Sequence, residues 1–112
     1  MSRDILKWLD SEVDSFPERA SGEEFYEYFE KIAERAIEED RNSFVDAMMQ
    51  WLLLRAEPKT MIAVEMVGKY RVFELKEELE KLLSDVITGK VFKLFYERPI
   101  KRSLDKLKID LG

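Results

Sequence analysis

The sequence predicts an all-α protein, and three observations carry that prediction. Apolar residues recur every three or four positions along almost the whole length. The apolar stretches are punctuated by cap-type and stop-type residues, and the period-two alternation of a half-buried strand does not occur. A chain of 112 residues has the size of one domain and buries roughly 60 to 70% of its unfolded surface on folding. Residues 1–112 are therefore expected to form a single α-helical domain. Six or seven antiparallel helices joined by short turns are expected, as a compact orthogonal helical bundle or a short stack of helical hairpins.

Ile5, Trp8, Leu9, Val13 and Phe16 fall at helical spacing after Ser2, a cap-type residue, and Pro17 marks the stop of the first helix. Ser21-Gly22-Glu23-Glu24 has capping-box spacing, and Phe25, Tyr28, Phe29, Ile32, Ala33, Ala36 and Ile37 follow as one apolar stripe. The opposite side of this second helix is acidic. Ser43, with Asp46 three residues on, is the expected cap of a third helix in which ten of the thirteen residues from Phe44 to Ala56 are apolar. Pro58 suits the first turn of a fourth, Lys59 to Tyr70, where its missing N–H has no partner to lose. Helices that are apolar nearly all round are buried on most sides, so the third and fourth are expected at the centre.

After Arg71 the pattern returns to ordinary amphipathicity. Val72, Leu75, Leu79, Leu82, Leu83 and Val86 line one side of a fifth helix. A sixth is expected to start near Thr88-Gly89 and to carry Val91, Leu94 and Phe95 up to a break at Pro99. Ile100, Leu104, Leu107 and Leu111 then set a short terminal helix ending before Gly112.

The stretch from Glu57 to Asp85 resembles a HEAT-type helical repeat. In that family an Ala-Val pair, here Ala63 and Val64, precedes a helix-ending Gly, here Gly68. Leucines fill the second helix (Leu75, Leu79, Leu82), an Asp follows it (Asp85), and the next repeat opens near a Val (Val91). The resemblance covers residues 57–107 at most. It departs from the family at Phe92, where a basic residue is usual, and at Pro99, which interrupts the next repeat. It implies a short HEAT-like α-solenoid, an architecture whose surfaces bind proteins, and sometimes nucleic acids, by shape.

Composition excludes several chemistries. The chain has no His and no Cys, so it cannot by itself build Ser-His-Asp or Cys-His arrangements, His-containing zinc sites or the two-histidine-one-carboxylate iron site. Its four glycines, Gly22, Gly68, Gly89 and Gly112, stand too far apart for a phosphate loop. No catalytic residue, cofactor or metal site is assigned.

No stretch approaches the ~18 apolar residues of a membrane span, and the acids at positions 4, 10, 12 and 14 do not suit an export signal. With the lack of cysteine, this leads us to expect a cytoplasmic protein without membrane attachment. Charged residues make up 38% of the chain, with one Asn and one Gln, a balance common in heat-adapted proteins.

Some residues admit both a chemical and a structural reading. Glu27, Glu30, Glu34 and Glu38 share a helix face; such oxygens can bind hard cations, but we read them instead as a solvated outer face, the ordinary role of acids on an amphipathic helix. Glu65, a charge inside the most apolar helix, would be a candidate acid if buried. We read it instead as half of an i, i+4 pair with Lys69 on a narrow exposed stripe. Arg55 is read as favouring its own helix C-terminus and Glu57. Trp8, Phe25, Phe29 and Trp51 are read as core rather than as a cofactor box.

The clearest functional signal is charge asymmetry. Residues 1–57 hold 7 basic and 15 acidic side chains, net −8, whereas residues 86–112 hold 7 and 3, net +4. The leading expectation is a non-catalytic protein-protein interaction module, a small adaptor or assembly subunit. Its partner is a protein, the chain itself included. The candidate contacts are Lys90, Lys93, Arg98, Lys101, Arg102 and Lys106 on one side and the acidic face Glu27, Glu30, Glu34 and Glu38 on the other. Nucleic-acid binding through segment 90–108, with Phe92, Phe95 and Tyr96 stacking on bases, is the alternative, although the overall pI near 4.9 is far from the basic range of strong binders. An acidic mimic of nucleic acid is a third reading, and an enzyme using carboxylates or lysines alone a fourth.

Overall fold

The computed structural model describes residues 4–16 and 22–108. The readings placed on Ser2, Pro17, Ser21, Leu111 and Gly112 lie outside these residues. The described chain is helical and contains no strand: α1 (Ile5–Ser15), α2 (Gly22–Leu54), α3 (Lys59–Lys69), α4 (Lys76–Ile87) and α5 (Glu97–Lys108), with 3-10 turns at Phe73–Leu75 and Leu94–Tyr96. Five α-helices stand where the periodicity predicts six or seven.

Two local causes account for the difference. The second and third expected helices run on as α2, broken only at Asp40, whose backbone is extended (φ −165°, ψ 90°). Asp40, not Ser43, is the cap of the second half. Its carboxylate accepts from the Ser43 N–H at 3.2 Å and from the Ser43 hydroxyl at 2.8 Å, as an N-cap side chain does for the first turn that follows it.

The sixth helix does not form, because Gly89 ends α4 instead of opening a new helix. Its φ of +78° is open to glycine without a Cβ clash. The Lys90 N–H then returns to the Asp85 carbonyl at 2.9 Å and the Gly89 N–H to Val86 at 3.1 Å, a Schellman closure. Pro99 is the third residue of α5, in the first turn, where no intrahelical acceptor awaits its nitrogen. No break occurs there.

The α3 terminus closes in the same way, from Val72 to Val67 at 3.0 Å and from Arg71 to Gly68 at 3.4 Å, with Arg71 rather than glycine in the left-handed position (φ +50°). Val72, just past the end, is buried. Pro58 immediately precedes α3, and its carbonyl accepts the Ile62 N–H at 3.0 Å.

Packing divides the chain into two compact units, Met1–Ala47 and Met48–Gly112. In the first, Ile5 and Leu9 of α1 and Phe29, Ile32, Ala33 and Ala36 of α2 are buried, along the predicted stripe. Phe16 packs on Phe25 (ring centroids 5.0 Å apart) and Tyr28 (5.1 Å), and Phe25 stacks on Phe29 (5.7 Å). The Tyr28 hydroxyl donates to Glu12, and that bond to a carboxylate is the main reason its pKa is raised above 10.0.

In the second unit, Trp51 and Leu52 of α2, nearly all of α3, and Leu79, Leu82, Val86, Ile100, Leu104 and Leu107 are buried. Both α3 and α4 pack against α5. The α3–α5 approach is close because Gly68 faces Ser103: a Cβ on Gly68 would lie 2.5 Å from Ser103 Oγ and 2.9 Å from its Cα. The Ser103 hydroxyl donates to the Val64 carbonyl at 2.7 Å. Thr60, fully buried, joins the end of α2 to the start of α3 by donating to the Trp51 carbonyl at 2.6 Å and accepting from the Ala56 N–H at 2.9 Å.

Candidate functional site

Since α4 ends at Ile87 and is closed off through Gly89, residues 88–93 form an irregular connector leading into the 3-10 turn Leu94–Tyr96. Side chains that a continuing helix would align on one inward stripe are thereby redistributed. Val91 and Phe92 are half-buried, whereas Leu94 is 60% and Phe95 64% exposed. Phe95 is nevertheless braced: its ring lies 4.6 Å from that of Tyr96, which in turn meets Phe92 at 5.4 Å. A large apolar side chain held in place at the surface loses less freedom on binding than a loose one.

Immediately beyond the turn, α5 buries Ile100, Ser103, Leu104 and Leu107 and leaves Arg98, Lys101, Arg102 and Asp105 on its outer side. Leu94, Phe95, Glu97, Arg98 and Lys101 together line a shallow hollow. Lys101 forms an ion pair with Glu97 one turn back; both are solvated enough that the pair adds little stability.

Of the six predicted basic contacts, Arg98 and Lys101 belong to the hollow. Arg102 is exposed one turn further along α5, and Lys90 and Lys93 are exposed on the connector. Lys106 is half-buried in the last helical turn, beside Lys108, where a cation interacts favourably with the helix C-terminus. Its charge has a structural role whatever else it does. Sequence reasoning named the ring of Phe95 as a candidate contact and placed Leu94 only among the apolar residues of an expected sixth helix. Gly89 as a stop, followed ten residues later by a Pro in a first turn, is the signal that separates these readings.

The acidic set is arranged as predicted on α2: Glu27, Glu34 and Glu38 are exposed and Glu30 half-buried. Among the described residues no group of three or more acidic side chains is placed to hold a metal ion. Glu65 lies, with Lys59 and Lys69, on the part of α3 that is not buried, as the stripe reading requires. The Lys69 ammonium sits 5.9 Å from the centre of the Tyr70 ring.

Arg55 donates to the Leu52 carbonyl at 2.6 Å, the helix-end contact expected of it. Its acidic partner is Asp85 of α4, at 3.1 and 3.2 Å, and not the expected Glu57. The pair spans thirty positions, so spacing could not signal it.

No helix among the described residues is long and apolar enough to cross a membrane. Comparison with protein-family models, curated proteins and solved structures finds no match.

Proposed function

We propose that this chain is a non-catalytic protein-interaction module, a small helical adaptor or assembly subunit, which docks its partner on the Leu94–Phe95 turn and the adjoining outer side of α5. The observation that carries this reading is the pairing of two adjacent, highly exposed large apolar side chains with a rim of exposed Arg98, Lys101 and Arg102. Apolar anchors ringed by polar groups are the usual anatomy of a docking surface. The HEAT-type resemblance over residues 57–107 supports it, since short helical stacks present such faces to proteins. Freedom from cysteine suits action in a reducing cytoplasm.

A polyanion is a poorer fit. Glu97 stands inside the hollow and pairs with Lys101, which lowers the net cationic charge that a phosphate backbone would meet there.

Affinity capture of the tagged full-length chain from its native cells, with and without nuclease, tests this reading. A protein partner retained after nuclease at near-stoichiometric yield, and lost with Phe95→Asp, is expected. Disappearance of the captured material on nuclease treatment would replace the protein partner with nucleic acid.

A further inference from the structure

We infer that the segment docked on the Leu94–Phe95 surface is acidic: a stretch of the partner protein in which a large apolar side chain stands next to two carboxylates about 6 Å apart. This rests on the docking reading above and adds the chemistry of the occupant. Arg98 and Arg102 stand four residues apart on the outer side of α5, separated by a rise of about 6 Å and facing nearly the same way. Both are exposed, and neither has a hydrogen bond or ion pair among the described residues. Glu97, adjacent to Arg98 in sequence, is engaged by Lys101. A guanidinium presents a planar fork of donors that fits a carboxylate. Two forks at this spacing match acids at i and i+4 of a helix or i and i+2 of a strand, about 6 to 7 Å apart.

Leu94, Phe95 and Arg98 line one hollow, so a side chain covering Phe95 brings its neighbours to the first guanidinium. Lys90 and Lys93, exposed on the connector and also without an ion pair among the described residues, add positive charge ahead of the apolar pair. This cluster is cationic in a chain of net charge −5, which steers an acidic segment here rather than to the rest of the surface. Acids border the two arginines, with Glu97 before them and exposed Asp105 after them. A long polyanion would run over both acids, whereas a segment with two carboxylates need meet neither.

Panning a phage-displayed library of short random peptides against the full chain tests this inference. The wild-type protein should enrich peptides with a large apolar residue next to two acids at i, i+4 or i, i+2. Binding of such a peptide, made synthetically, should weaken at least tenfold between about 0.1 M and about 1 M salt, as the screening length falls from about 10 Å to about 3 Å. Replacing its two acids with their amides should cost a similar factor. Arg98→Glu/Arg102→Glu, with unchanged circular dichroism, should lose that peptide and enrich peptides with Lys or Arg at the same two positions. Arg98→Lys/Arg102→Lys, which keeps the charge without the fork, should bind between the two.

Enriched peptides without the acidic pair, no enrichment over background, or equal binding by the charge-reversed variant would overturn the acidic occupant. If a nuclease-resistant partner were still captured from cells in that case, and lost with Phe95→Asp, the docking reading would survive. Loss of that capture as well would remove both.

Discussion

The α3–α5 contact and the Leu94–Phe95 turn lie in the same unit and treat side chains in opposite ways. At the contact even a glycine and a serine, Gly68 and Ser103, are sealed from water, and every described buried side-chain polar atom has a hydrogen-bond partner. At the turn, Leu94 and Phe95 stand mostly in solvent although buried apolar positions lie a few residues away at Ile100 and Leu104. The unit thus completes its interior without its most exposed apolar residues. Stability and binding should be separable by mutation, and the comparison can be broken or sharpened from either side.

Gly68→Ala should have the largest effect. The added methyl meets Ser103 backbone as well as side chain, so overpacking of about 1–3 kcal/mol should outweigh the better helix propensity of alanine. Thermal denaturation should show a clear loss that Ser103→Gly partly restores; an unchanged midpoint would mean that the two helices separate freely. Thr60→Val should follow at about 1–3 kcal/mol, since it strands the Trp51 carbonyl and the Ala56 N–H together, and urea unfolding would register it.

The Asp40 cap should appear as a pH dependence. Hydrogen bonds from the Ser43 side chain, then from the Ser43 and Asn42 backbone, hold its carboxyl below the ordinary 3.8. With the folded value below the unfolded one, this contribution is complete above the unfolded pKa and is lost as pH falls through the folded value. Asp40→Asn keeps a cap but removes the titration. The slope of unfolding free energy between about pH 5 and pH 2 should therefore be shallower in the variant.

At the turn, Phe95→Asp should leave stability within about 0.5 kcal/mol while abolishing partner capture. A large loss of stability would show that the ring belongs to the core. Smallest of all should be Glu65→Gln, within about 0.5 kcal/mol by chemical denaturation, because the residue lies on the solvated strip of α3; a drop of several kcal/mol would demand a buried role for its charge.

Helix class and burial were legible in the sequence wherever period and composition agreed. The stripe from Phe29 to Ala36, the nearly complete burial of α3 and the terminal set Ile100, Leu104 and Leu107 all follow from spacing. Gly89 and Pro99 misled because each punctuates a helix in two ways. Glycine borders a start or a stop, proline an interior break or a first turn, and only the hydrogen bonds of residues 85–90 choose between them. The candidate site was legible as charge, since Arg98, Lys101 and Arg102 are exposed. Its apolar centre was not, because reading a helix through residues 89–98 turns Leu94 inward. The Arg55–Asp85 pair and the Gly68–Ser103 approach depend on tertiary placement that no local pattern encodes.

Among the described residues, three of the four left-handed backbone positions follow helix ends, and they are filled by Arg55, Arg71 and Gly89. A side chain there costs of order 1 kcal/mol that glycine escapes. The two arginines are therefore different prospects for protein engineering. At Arg55 the guanidinium ties the end of α2 to Asp85, so glycine would relieve the backbone and cut a tether. Arg71 is exposed, and the bonds that close its helix end run through the main chain, so glycine there would relieve the backbone and keep that closure. Replacing each arginine with glycine in turn would weigh the backbone cost of that position against the contacts its side chain makes.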